Sequence, residues 1–127
     1  MTLAEKNNFL ISLSTSPKTD VGKVAFEQQS EAQKVFTAIW VLEGEVNNGG
    51  FAQYLSNDAE GTAPYAPIAL NANGATQCAA ILTRALQAAA SHDEEALETL
   101  DQEFFTYPDN LTELLYAYVM ANPTTFA

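Results

Sequence analysis

The feature that most constrains the fold is a break of four residues, Asn47-Asn48-Gly49-Gly50, set inside an otherwise helical pattern. Asparagine and glycine both tolerate the positive or irregular φ angles at which helices end. An apolar helical stretch ends just before the break, and Phe51 and Tyr54 resume helical spacing directly after it. The sequence therefore predicts a sharp turn of one specific geometry. We refer to residues 45–54 as the corner.

Hydrophobic periodicity predicts helices along nearly the whole chain, and no segment alternates as a β-strand would. We therefore expect an all-α, single-domain fold spanning residues 1–127, with about six helices. The longest pattern runs from about residue 30 to residue 46, with one face formed by Val35, Ile39, Leu42 and Val46, and with Phe36 and Trp40 beside it. Later helices are expected at about Ile68 to Asn71, from Thr76 to Ala90, after Ser91, and after Asp109 or Asn110.

Two of the predicted helix starts have the spacing of a capping box, in which the first and fourth residues each bond the other's backbone N–H. These pairs are Ser30 with Gln33 and Ser91 with Glu94. The second box would place His92 on the surface, in the first turn of its helix.

Length and composition agree with one acidic domain. A chain of 127 residues with 47% hydrophobic residues can bury a substantial core. The amino terminus lacks a basic leader region, and no stretch approaches the roughly 18 apolar residues of a membrane span, so we expect a cytoplasmic protein. Cys78 is the only cysteine, which excludes an intrachain disulfide, and we expect it to be a small buried side chain.

The net charge of −11 is concentrated in the second part of the chain. Residues 1–35 are neutral, whereas residues 36–127 carry twelve carboxylates and only one base, Arg84. A field of one sign attracts opposite charge and repels nucleic acids and anionic membranes. We therefore expect a basic protein as partner, with no direct nucleic-acid or membrane binding. The predicted partner-binding residues are eight acids with no base among them: Asp93, Glu94, Glu95, Glu98, Asp101, Glu103, Asp109 and Glu113.

Helix stabilisation explains only part of this acidic run. Carboxylates in a first helical turn favour the helix dipole by roughly 0.3–1 kcal/mol each. Glu98 and Asp101 lie beyond the first turn, and with Glu94 they form a row at i, i+4 and i+7 without a lysine to balance them. Such a row is mildly destabilising, which favours a binding role over an ordinary solvated face.

The corner and the residues that flank it carry the other candidate site residues. Glu43 lies inside the apolar stripe, where burial would raise its pKa as a general acid requires. A structural role is the alternative for Glu43 and Glu45, because such glutamates commonly hold a neighbouring loop in place. Side-chain amides around the two glycines could bind a ligand, but we expect them to satisfy backbone groups that the turn leaves unpaired. These amides belong to Asn47, Asn48, Gln53 and Asn57.

No cofactor or metal site is predicted. With one histidine and one cysteine, His92 and Cys78, the chain cannot form a Cys/His zinc site. Gly49-Gly50 is not followed by a nucleotide-binding pattern, and no EF-hand spacing of acids occurs. Trp40, Tyr54, Phe104 and Phe105 are expected in the core.

The corner and its surroundings resemble the DNA-mimic-protein-like family of small bacterial domains. The residues that carry the resemblance are Trp40, Leu42, Glu45, Val46, Asn47, Asn48, Gly49, Gly50, Phe51, Gln53, Tyr54 and Asn57. Leu55 departs from the family pattern, which often has an aromatic residue there. The resemblance implies a helical scaffold whose carboxylates occupy the DNA-binding surface of a protein such as a transcription factor, and it suggests a homodimer.

We therefore expect a non-enzymatic protein whose acidic face mimics DNA and binds a basic, nucleic-acid-binding protein. An alternative is an immunity-type inhibitor that fills the basic cleft of a toxin. A third reading is a hydrolase or ligand-binding domain centred on Glu43 and Glu45.

Overall fold

A computed structural model describes residues 1–127, and it contains helices and no strands. The six α-helices are α1 Leu3–Thr15, α2 Glu31–Ser56, α3 Ala66–Ala72, α4 Thr76–Ala90, α5 Glu94–Phe105 and α6 Leu111–Ala121. A single 3-10 turn, Phe26–Gln28, lies in the connection between α1 and α2. The all-α class and the number of helices are confirmed. No helix is both long enough and apolar enough to cross a membrane.

The long helix α2 is the centre of the fold. It packs against α3 and α5 and also contacts α4 and α6, while α1 packs on α6. The face predicted from periodicity is buried, and Ile39, Leu42 and Val46 have no exposed surface. These side chains belong to one hydrophobic core to which every helix contributes.

α2 changes direction at the two glycines. Gly49 has φ −156° and ψ 18°, and Gly50 has φ 76° and ψ −178°, so the helix is interrupted and restarts at Phe51. The predicted break therefore exists, but it is shorter than expected because Asn47 and Asn48 remain helical. Asparagine can take a left-handed conformation but does not need to, whereas glycine adopts it without steric cost.

Both predicted capping boxes were wrong in detail. Ser30 does accept a hydrogen bond from the Gln33 backbone N–H, but the Gln33 side chain instead donates to the carbonyl of Lys18. At α5 the cap is Asp93, whose carboxylate accepts from the Ala96 N–H. His92 has φ 56° and so lies in the turn before α5 rather than in its first helical turn.

Other boundaries agree with the sequence. α4 covers the predicted residues, and α6 begins directly after its cap Asn110. Tyr54 and Phe104 are buried as predicted, but Phe105 is 40% exposed and Trp40 is only partly buried. Phe105 points about 100° away from Phe104, and on α5 only the face of Leu97, Leu100 and Phe104 is covered by other helices.

Candidate protein-binding surface

The corner is held from outside by Asp101 of α5. Its Oδ1 accepts a hydrogen bond of 2.8 Å from the backbone N–H of Phe51, the first residue after the break. A helix start leaves such N–H groups without partners, and a carboxylate there also favours the helix dipole. A Cβ atom at Gly50 would collide with this carboxylate. Glycine is therefore required at Gly50 both for its φ and for the approach of Asp101.

Side chains also connect the two parts of α2 across the break. Glu45 accepts hydrogen bonds from the amides of Gln53, at 2.8 Å, and Asn57, at 3.2 Å. These two donors lower the pKa of Glu45 and keep it charged. The expectation that the corner amides satisfy backbone groups was wrong, because Gln53 and Asn57 bind a carboxylate and Asp101 satisfies the Phe51 N–H.

A second polar contact joins α2 to the connection between α5 and α6. The Tyr107 hydroxyl donates to Oε2 of Glu43 at 3.0 Å and accepts from the amide of Asn47 at 2.7 Å. Glu43 is half-buried, and this burial raises its pKa, although the Tyr107 hydrogen bond opposes the rise. Tyr107 has φ 50°, which is unusual for a residue other than glycine.

The remaining motif residues divide between core and surface. Phe51 is buried and meets the ring of Phe104 edge-on, with 5.6 Å between ring centroids, and Tyr54 is buried beside it in the core. Trp40 stacks on Phe36 with 5.8 Å between centroids. Asn48 is exposed and makes no side-chain hydrogen bond. The corner is thus held by packing and by a few specific polar contacts.

Five of the eight predicted partner-binding acids have partners within the protein. Asp93 caps α5, Asp101 binds the Phe51 N–H, and Asp109 accepts a 2.8 Å hydrogen bond from the Cys78 N–H at the start of α4. Glu103 pairs with Arg84 at 2.9 Å, and Glu113 pairs with Lys6 at 3.0 Å. These acids have structural contacts that the sequence did not reveal.

Glu94, Glu95 and Glu98 are the three acids of the set with no internal partner. All three are exposed on the first two turns of α5, opposite its buried face of Leu97 and Leu100. Glu94 and Glu98 stand one turn apart, which corresponds to about 6 Å along the helix. We call these three residues the acidic row.

The eight acids do not form one continuous face. The turn between α4 and α5 has three residues, so the two helices pack as an antiparallel hairpin. The acidic row lies at the turn end of this hairpin, while Asp109 binds the opposite end of α4. Since α5 has 12 residues, these ends are about 18 Å apart.

Most basic side chains contact other groups of the protein, so few free positive charges offset the negative surface potential. Besides the two ion pairs, Lys23 donates to the carbonyls of Ser16 and Thr19, and Lys34 lies 5.7 Å from the ring centre of Phe26. Lys18 is exposed and has no side-chain partner. No base of the chain forms an ion pair with the acidic row.

The side chains that could bind a metal ion are not clustered. No three His, Cys, Asp or Glu side chains are close enough to hold a metal ion. Cys78 is buried, as predicted, and burial raises the pKa of its thiol to about 11. His92 is exposed in the turn before α5, remote in sequence from the corner.

The sequence analysis did not identify two residues that hold parts of the fold together. Tyr107 connects Glu43 and Asn47, and its only signal was an aromatic residue just before Pro108 at a helix end. Asp58 accepts hydrogen bonds from the Thr62 and Ala63 N–H groups and so orders the loop after α2. An aspartate followed by a threonine four residues later in a loop is a weak turn signal that could have identified it.

The fold and the surface define a small, all-helical, acidic domain with a kinked central helix. The sequence matches the profile of the DMP19-like protein family over residues 27–122, and the chain therefore belongs to that family. This confirms the family expected from the corner. No curated protein and no solved structure matches the chain significantly.

Proposed function

We propose that this protein is a non-enzymatic, cytoplasmic DNA mimic whose acidic row binds the basic surface of a nucleic-acid-binding protein. The observation that carries the proposal is the acidic row itself, three exposed carboxylates with no internal partner on one helix. Glu94 and Glu95 lie in the first turn of α5, where they favour the helix dipole, but Glu98 lies beyond that turn and repels Glu94. A binding role accounts for Glu98, which a folding role does not explain.

The spacing of the acids supports recognition of a DNA-binding surface. Phosphates follow one another about every 3.4 Å along each strand of B-DNA, and acids on adjacent edges of a helix approach that density. Glu94 and Glu98 form one edge, and Glu95 begins the next. Asp93 adds a fourth exposed carboxylate at the helix start, although it also caps α5.

Membership of the DMP19-like family supports the same function. The net charge of −11 adds long-range attraction to any basic partner and repulsion of nucleic acid. Electrostatic attraction of this kind raises the association rate and makes it sensitive to salt.

A pull-down from the native lysate at low salt, eluted with a salt gradient, would identify the partner. Competition with a fluorescent DNA duplex would then test mimicry. We expect the wild type to displace the duplex and to bind no DNA itself. A partner that holds DNA and this protein simultaneously would contradict mimicry, and recovery of a toxin would favour the immunity-type function.

A matched pair of variants tests the acidic row. The triple change Glu94→Gln, Glu95→Gln and Glu98→Gln should slow association and reduce its salt dependence. The control changes three exposed glutamates elsewhere that also lack side-chain partners, namely Glu27, Glu31 and Glu60. Both variants have the same net charge, so equal loss of binding in the two would show that total charge matters and the row does not.

A further inference from the structure

A groove outside the acidic row runs between α1 and α2. It consists of two adjoining depressions of about 560 and 290 Å³ that share Asn7 and Glu43. Leu3 and Tyr107 border the larger depression, and Ile11 and Trp40 border the smaller one. Glu43 therefore lies where the two depressions meet.

The carboxylate of Glu43 is incompletely satisfied. Its Oε2 accepts one hydrogen bond, from Tyr107, and its Oε1 accepts none. No cation pairs with it, because the ion pairs of the protein are Lys6 with Glu113 and Arg84 with Glu103. Partial burial of a carboxylate without a cation costs free energy, which a positive charge entering the groove would recover.

The walls of the groove are apolar on both sides of this carboxylate. Leu3 and Ile11 are each 48% exposed, although both belong to a helix that packs on the core through other residues. Trp40 contributes part of an aromatic face, and its indole N–H makes no hydrogen bond within the protein. Exposed aliphatic and aromatic surface around one anionic group is suited to a cation that carries an aliphatic stem.

We propose that the groove binds an arginine or lysine side chain of a partner protein, with the cationic head at Glu43 and the stem against Ile11 in the smaller depression. Arginine fits best, because a guanidinium can bond a carboxylate and also stack on Trp40. A purely apolar occupant would bury Glu43 further without pairing it, and a nucleic acid or anionic lipid would be repelled. The inference rests on the proposed function only in taking the partner to be a basic protein.

A small probe tests the groove without any partner. Trp40 is the only tryptophan, so its fluorescence reports directly on this site. The probe is butylguanidinium, compared with butanol, which has only the stem, and with guanidinium, which has only the head. We expect a saturable change in Trp40 emission at millimolar butylguanidinium, at concentrations about fivefold or more below those needed for either control.

Variants assign the binding to the named residues. Glu43→Gln should weaken butylguanidinium binding about fivefold or more, whereas Glu98→Gln in the acidic row should leave it unchanged. Ile11→Ala should weaken butylguanidinium binding but not the response to guanidinium. Ile11 is exposed, so Ile11→Ala should leave the fold intact. It therefore still tests the groove if Glu43→Gln alters the fold.

Three results would overturn the proposal. These are no saturable change of Trp40 emission, equal midpoints for butylguanidinium and butanol, or unchanged binding in both groove variants. A fourth would be a dimer, detected by light scattering, whose formation changes Trp40 emission, because a second copy of the chain would then cover the groove. The two experiments can fail independently. If the groove does not bind butylguanidinium, the acidic-row variants can still show weaker binding of the basic partner. If the acidic-row variants bind the partner normally, the result with butylguanidinium is unchanged.

Discussion

Oδ1 of Asp101 lies 2.8 Å from the backbone nitrogen of Phe51, although fifty residues separate them in the chain. This contact closes the break in α2 by giving a partner to the first N–H after it. It also changes the interpretation of Asp101, which the sequence grouped with Glu98 as a surface charge. The two acids are three residues apart on α5, yet only Asp101 faces α2.

Removal of the Asp101 carboxylate should therefore destabilise the fold, whereas removal of the Glu98 carboxylate should not. Asp101→Ala should lower the free energy of unfolding by about 1–2 kcal/mol, as loss of a helix cap does. Asp101→Asn should cost less, since its amide oxygen can still accept the hydrogen bond. Glu98→Gln should be neutral or slightly stabilising because it relieves repulsion from Glu94. Urea unfolding measures all three, and equal stabilities of Asp101→Ala and Glu98→Gln would refute this assignment.

Replacement of each glycine of α2 by alanine should change stability by an amount that depends on the backbone angles at that position. Gly50→Ala should destabilise the fold by more than about 1 kcal/mol, because φ is 76° there and the new Cβ would meet Asp101. Gly44→Ala is the control within the same helix, where a Cβ meets nothing within 4 Å. That change should stabilise the protein by about 0.5–1 kcal/mol, since alanine is the better helix former.

The stability of Gly49→Ala should lie between the stabilities of Gly50→Ala and Gly44→Ala. Its φ of −156° lies outside the left-handed region, so no strain in φ is expected. The new Cβ would instead collide with the amide of Gln53, which donates to Glu45, and would lie 2.8 Å from the Cβ of Gln53, so this residue would have to shift. A thermal melt that ranks Gly49→Ala below Gly50→Ala in stability would contradict this order.

Glu43 should make stability depend on pH in a definite direction. Burial raises its pKa, so the folded chain binds a proton at a pH where the unfolded chain has already released it. Wild-type stability should therefore fall as the pH rises from the ordinary pKa of a glutamate to the raised value. Glu43→Gln lacks this loss and should be the more stable protein at neutral pH.

Urea unfolding over the mildly acidic to neutral range checks this dependence. Tyr107→Phe provides a second comparison, because it removes the hydrogen bond that opposes the rise in the pKa of Glu43. The pH interval over which stability falls should extend further upward in that variant. A parallel pH dependence of wild type and Glu43→Gln would exclude Glu43 as its source.

Cys78 should be unreactive in the folded protein. Its side chain is fully buried, and burial raises the pKa of the thiol to about 11, so little thiolate exists at neutral pH. A disulfide reagent should label it only as fast as the native state opens, and promptly in denaturant. Rapid labelling of the folded protein would show that the start of α4 opens locally.

Several features followed from local sequence patterns because local interactions determine them. The bounds of α4 and the start of α6 were correct, since helical periodicity and the cap at Asn110 act within a few residues. The position of the break was correct because Gly49 and Gly50 are adjacent and only glycine takes φ 76° freely. The family followed from the same short stretch.

The tertiary structure alone decided what each charged residue contacts. Asp101 with Phe51, Asp109 with Cys78, and Glu113 with Lys6 are pairs far apart in the chain, and no local pattern contains both members. Periodicity states which residues share a helix face, but not which other helix covers that face. The sequence by itself determined that this protein is helical, acidic and kinked at Gly49–Gly50. Packing of the helices decided that the free carboxylates are Glu94, Glu95 and Glu98, because hydrogen bonds and ion pairs form between side chains that folding brings together.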